Sequence, residues 1–241
     1  MQVFSSDRIL WFGVYASFVH KMMAYTFTTY YWLYLVSWVE EVPQPVTELI
    51  DGELVEVEIA DPEDYFTNQD AIDLFGFSMQ VGMCCALVAM PLFGYLNDKK
   101  TIDRQIVFVY LIRCFASLLF FFLKDPESPL VWVASIMTIV GANLEGLTAY
   151  AFWVKRMPKD IRAILNGYFN SIARTGQLVV SLSAHVMLTN YSIQSLFLLV
   201  AIGDFSIVMC SFFLSGTNVF SNDAVEGKAG KDAHADAKKR K

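Results

Sequence analysis

Residues 74–96, LFGFSMQVGMCCALVAMPLFGYL, run for 23 positions without a charged side chain. At a rise of 1.5 Å per residue, about 20 apolar residues cross a hydrocarbon core about 30 Å thick. The stretch therefore reads as a transmembrane helix. Five more stretches share its character: 9–38, 105–123, 129–153, 164–188 and 193–215. The six together take up 145 positions and hold only five of the chain's 42 charged residues. With 55% apolar and 15% aromatic residues, that segregation excludes a soluble domain, a disordered chain and a free nucleic-acid binder. Membrane β-strands are about ten residues long and alternate in polarity, which these stretches do not, so only helices fit. The expected fold is an all-α membrane protein with six transmembrane helices over residues 1–215. The first stretch is too long for a signal-peptide core and reads as a retained helix.

Orientation follows from the cations near the helix ends, because short basic loops stay cytoplasmic. With both termini inside, fourteen Lys and Arg lie on the inner side, among them Lys99, Lys100, Arg104, Lys155 and Arg162, against Lys124 alone outside. The loop 40–73 then lies outside with twelve carboxylates and no basic residue. Within it a short β-hairpin is expected over 48–59, since Asp51-Gly52 suits a tight turn. The loop reads as a solvated acidic segment or as a docking surface for a partner. Residues 216–241 lack a hydrophobic face and are expected to form a disordered cytoplasmic tail. Lys238 and Lys239, fourth and third from the end, have the arrangement of an endoplasmic-reticulum retrieval signal. The same run also serves as a positive-inside anchor, which leaves other organelle membranes open, the mitochondrial inner membrane included.

Ionisable residues at membrane depth are costly and usually face the bundle interior, where they pair or serve function. Five of the apolar stretches carry one each: Lys21, Arg113, Glu145, Arg174 and Asp204. Their sum of +1 leaves a cation over after pairing, which suits an anionic ligand. Arg113 with Asp204 is expected as a structural ion pair, and Glu145 is expected to pair with Lys21 or Arg174. His20 is either a proton carrier or a satisfied polar residue. The aromatic run Tyr25, Phe27, Tyr30, Tyr31, Trp32, Tyr34 reads in its later members as an interfacial belt, while Tyr25 lies deeper and can line a cavity. The four cysteines lie inside apolar stretches and imply no disulfide framework. Three histidines and no Cys-x-x-Cys imply no metal site, and no hydrolase or nucleotide-binding motif implies an enzyme or a cofactor.

Gly94-Tyr95-Leu96-Asn97-Asp98-Lys99-Lys100, followed by Arg104, resembles the loop signature between the second and third helices of the major facilitator superfamily. Gly94 would allow close helix approach there, and Asp98 would pair with basic residues of the turn. Lys21, Ala24-Tyr25-Thr26-Phe27 and Leu33-Tyr34-Leu35 resemble the opening of the C-terminal half of sugar-phosphate/phosphate exchangers, relatives of glucose-6-phosphate and glycerol-3-phosphate transporters. Arg162-Ala163 and Thr175-Gly176 also fit that half. The chain departs from the family where Trp-x-Pro becomes Tyr30-Tyr31-Trp32 and where Asp-Gly-Thr-Gly becomes Ala173-Arg174-Thr175-Gly176. The resemblance implies two inverted three-helix repeats, which is half of a transporter whose substrate binds between two halves. It further implies Lys21, Tyr25 and Arg174 as substrate-binding residues, with Glu145 as counter-charge or proton-linked partner.

The leading expectation is thus a half-transporter module for an organic phosphate or similar anion, completed by a second six-helix half. The alternative is a structural membrane subunit of a larger complex that keeps this fold without transporting. The expected partners are the lipid bilayer, another half or complex subunits, and a small anionic substrate.

Overall fold

A computed structural model describes residues 8–40, 46–50, 53–57, 65–99, 102–156 and 162–215. It contains six α-helices and one β-hairpin. These are α1 (Arg8–Val36), β1 (Val46–Ile50), β2 (Glu53–Val57), α2 (Asn68–Lys99), α3 (Ile102–Phe122), α4 (Pro129–Arg156), α5 (Arg162–Asn190) and α6 (Gln194–Ser215). Each expected apolar stretch is a helix, and most helices extend beyond their apolar limits. Local chemistry sets the starts. Thr67 donates both its backbone N–H and its hydroxyl to Asp70 Oδ2, at 2.8 and 2.6 Å, which caps the first turn of α2. Ser128 accepts from Leu130 N–H ahead of α4, whose first residue is Pro129, where a missing N–H costs nothing.

Four helices are long and apolar enough to cross a membrane: Asn68–Leu96, Gln105–Phe122, Pro129–Thr148 and Gln194–Leu214. The protein is accordingly a multi-pass integral membrane protein whose apolar helices suit contact with a lipid bilayer. The helices α1 and α5 are as long but less apolar. The first carries His20, Lys21 and several Tyr and Thr residues, and the second carries Asn166, Asn170, Arg174 and Gln177.

The helices pack in four main pairs: α3 along α6, α2 along α4, α3 along α4, and α1 along α5. A smaller contact of α1 with α6 ties α1 and α5 to the rest. Glycines make the closest approaches. A Cβ on Gly82 of α2 would meet Ile139 of α4, and one on Gly176 of α5 would meet the Phe18 carbonyl and Met22 of α1. A Cβ on Gly141 of α4 would come to 2.6 Å from Arg113 Cγ of α3. Gly94 has open space at that position among the described residues, so the close approach expected there is made at Gly82 instead.

One apolar core fills one end of the bundle, where Phe27, Tyr31 and Tyr34 of α1 meet Phe120 of α3 and Phe197 of α6. Phe120 and Phe197 lie 4.8 Å apart, and Tyr34 sits edge-on to both. This corrects the belt reading: Tyr31 and Tyr34 are fully buried rather than interfacial. Their rings complete the core, and Tyr31 Oη finds hydroxyl partners inside it, at Ser135 (2.6 Å) and Ser78 (3.2 Å). A second core at the opposite end joins Phe12, Ala16 and Val19 to Ile106, Tyr110, Ile207 and Val208. The two cores show the chain direction alternating, with α1 and α3 rising and α6 descending; α5 rises beside α1.

The hairpin pairs Val46 with Val57 and Ile50 with Glu53 in antiparallel register. It begins two residues before the expected 48–59 span. The turn Asp51-Gly52, residues 41–45 and 58–64 of the acidic loop, the tail 216–241 and the Lys238-Lys239 signal lie outside the described residues.

Candidate functional site

The five charges of the apolar stretches fall into two groups. Arg113 and Asp204 are sealed in the core at 0% exposure, with Nη2 2.8 Å from Oδ1 across the α3–α6 seam. The approach lies off the line of a hydrogen bond, so the contact is an ion pair by distance more than by direction. The guanidinium also lies 4.7 Å over the Tyr110 ring, a cation–π contact that offsets part of its missing hydration.

Glu145 of α4 is likewise buried, at 2% exposure, but its partner is neither Lys21 nor Arg174. His20 Nδ1 lies on Glu145 Oε2, and Tyr110 donates its hydroxyl to Oε1 at 3.0 Å. The reason is angular. His20 and Lys21 are neighbours, hence about 100° apart around α1, and only His20 turns toward α4. Tyr110 Oη also lies 3.1 Å from the Ala16 carbonyl of α1. His20, Glu145, Tyr110, Arg113 and Asp204 thus form one polar network through α1, α4, α3 and α6. Sequence reading missed Tyr110. It missed His20 as partner although positions 20, 23, 27 and 31 share one stripe of α1, three of them core.

Lys21 and Arg174 are placed differently. Gly176 meets Phe18 and Met22, Arg174 lies two residues before Gly176, and Lys21 lies one before Met22. At 1.5 Å per residue the two cations therefore stand within about 5 Å of each other in depth. Around α1, Val19 packs toward Gly203 of α6, while Lys21 and Thr28 fall on the opposite flank. The two helices run parallel, so the α5 flank bearing Asn170, Arg174 and Ser181 faces the same way, with α6 behind it. Arg174, Asn170 and Thr28 are exposed, and Lys21, Tyr25 and Ser181 half-buried. Neither Lys21 nor Arg174 has an ion-pair partner among the described residues. The outcome is an open polar wall across α1 and α5 with two cations at one depth. The other flank of α5, with Ile164, Leu182 and Val186, is apolar.

At the end that holds the first core, a cleft of about 520 Å³ lies between α2 and the α3–α4 turn. Asp70, Asp73 and Glu127 line it beside Phe77 and Trp132, which carries the acidic character of the loop onto the bundle. No group of three His, Cys, Asp or Glu among the described residues could hold a metal ion. Asp98 and Arg104 belong to helices α2 and α3, and their side chains lie outside the described residues.

Compared with known proteins, the chain matches no family model, no curated protein and no solved structure.

Proposed function

We propose that the chain is a half-transporter module: six transmembrane helices in two inverted three-helix repeats, forming one wall of a path for an organic phosphate or similar anion. A second six-helix half supplies the other wall. The repeat reading is supported by the packing. Exchanging α1, α2, α3 for α4, α5, α6 turns the α1·α5 contact into α4·α2, turns α1·α6 into α4·α3, and leaves α3·α6 unchanged. The glycines follow: Gly82 and Gly176 stand at equivalent places in α2 and α5, each against the partner that the exchange requires. Residue offsets agree as well. The starts of α2 and α5 are 94 apart, those of α3 and α6 are 92 apart, and those of α1 and α4 are 121 apart. The excess is about the length of the acidic loop with its hairpin.

The observation that carries the anion reading is the pair of unpaired cations, Lys21 and Arg174, at one depth on an open polar wall. Arg offers a planar fork to phosphate oxygens and Lys a point charge. A structural subunit remains as second reading, favoured by one observation: Glu145 is buried in the polar network rather than turned onto the wall. Proteoliposomes holding the intact particle separate the two. Arg174→Lys or Lys21→Ala should abolish phosphate-driven exchange and leave assembly unchanged. A wild-type particle that exchanges no organic phosphate, with both variants defective in assembly, sinks transport and supports the structural reading.

A further inference from the structure

Tyr110 has one hydroxyl proton and two acceptors in reach, Glu145 Oε1 at 3.0 Å and the Ala16 carbonyl at 3.1 Å. A single proton serves one of them well at a time. An ionised Glu145 is the stronger acceptor and draws the proton to Oε1. A neutral Glu145 is the weaker one, and the hydroxyl turns to Ala16. That carbonyl lies one helical turn before His20, so the two arrangements differ in the very turn of α1 that holds the imidazole. On its other oxygen Glu145 meets His20 Nδ1, and the His20 side chain is 21% exposed where that of Glu145 is 3% exposed. Glu145 thus has a hydroxyl donor on Oε1 and, on Oε2, an imidazole that approaches off the line of a hydrogen bond and reaches out of the core. A carboxylate kept only as glue needs neither feature; Asp204, sealed against Arg113, has neither.

We propose that Glu145 is a proton-binding carboxyl loaded through His20, with Tyr110 switching its hydroxyl between Glu145 and the Ala16 carbonyl. The transfer balances simply. A proton arrives at His20 Nε2, the Nδ1 proton passes to Glu145 Oε2, and a neutral imidazole of the other tautomer faces a neutral carboxyl. The charged or titratable groups facing Glu145 are His20 of α1, Tyr110 and Arg113 of α3, and Asp204 of α6. Arg113 and Asp204 cancel each other, so loading removes the one negative charge behind Lys21. The wall then binds an anion more tightly, and proton and anion are taken up together. This coupling rests on the transport reading, whereas proton binding itself does not.

Infrared difference spectra of the full particle in lipid nanodiscs test both parts, with inorganic phosphate as probe. As pH falls, a carboxylic-acid carbonyl band should grow that is lost in Glu145→Gln, shifted in Tyr110→Phe and moved in midpoint by His20→Gln. If Glu145→Gln fails to assemble, a displaced band in Glu145→Asp makes the same assignment. Spectra that superimpose for the wild type and its Glu145 variant at every pH overturn the proposal. At fixed pH, phosphate should raise the Glu145 band, and less so in Arg174→Gln. Phosphate that binds by calorimetry without changing the band overturns the coupling. Phosphate that does not bind at all sinks the transport reading, and the pH series then decides proton binding alone.

Discussion

Removing either member of the Arg113–Asp204 pair should cost far more than removing both. At 2.8 Å and an effective dielectric of about 20, the pair attracts by about 6 kcal/mol, most of which offsets the desolvation of two sealed ions. Asp204→Leu strands a guanidinium that cannot lose its proton, so it should cost about 3–5 kcal/mol. Arg113→Leu strands a carboxylate that can neutralise itself. Its cost should fall on acidification by about 1.4 kcal/mol per pH unit, while that of Asp204→Leu should not. The double variant leaves no buried charge. It loses the contact of Arg113 with the Tyr110 ring, about 2 kcal/mol, and some packing beside Gly141. The sum of the single losses should therefore exceed the double loss by about 3 kcal/mol. Unfolding in bicelles against added detergent, followed by far-ultraviolet circular dichroism at two pH values, measures all three. A double loss equal to the sum of the singles, at both pH values, would refute the pairing.

Gly176→Ala should loosen the α1–α5 seam by about 1–3 kcal/mol, because its new methyl meets a backbone carbonyl that cannot turn aside. Gly94→Ala, with open space around it, should be neutral or stabilise slightly in the same unfolding assay; equal losses at both sites would contradict the packing. Cysteine labelling of sealed vesicles should find Glu53→Cys and Lys239→Cys on opposite sides of the membrane. Both reacting with impermeant reagent from one side would overturn the orientation drawn from the basic residues.

The helices were legible because burial in lipid demands long uncharged stretches, and the charges of this chain are segregated accordingly. The hairpin was legible from Asp51-Gly52, though its strands start earlier, since alternation on β1 is weak. Which face of each helix meets which neighbour was not legible. Hydropathy scores Tyr31 and Tyr34 as it scores an interfacial tyrosine; distant partners make them core residues, Ser78 and Ser135 for the Tyr31 hydroxyl and the Phe120 and Phe197 rings for Tyr34. The Arg113–Asp204 contact follows from having two opposite charges at one depth on α3 and α6. Glu145 was expected to meet Lys21 or Arg174, and that His20 takes the place instead depends on a rotation of about 100° around α1 that composition does not carry.

The wall poses a charge balance that the described residues do not close. Two unpaired cations at membrane depth cost about 5–7 kcal/mol on insertion scales, reduced by whatever water the open side admits. The polar neighbours Thr28, Asn170 and Ser181 hydrate such a face without neutralising it. Negative charge has to come from outside the described residues, and the two readings differ in its source. A transporter takes it from a mobile ligand: a phosphate monoester carries between about one and two charges near neutral pH, which matches one Lys and one Arg. A structural subunit takes it from fixed carboxylates of a partner docked on the same face. In the first case Arg174 and Lys21 are dispensable for assembly and needed for flux, and in the second they are needed for assembly. The cost of leaving them bare is the same in both, so the wall is a face that has to be covered.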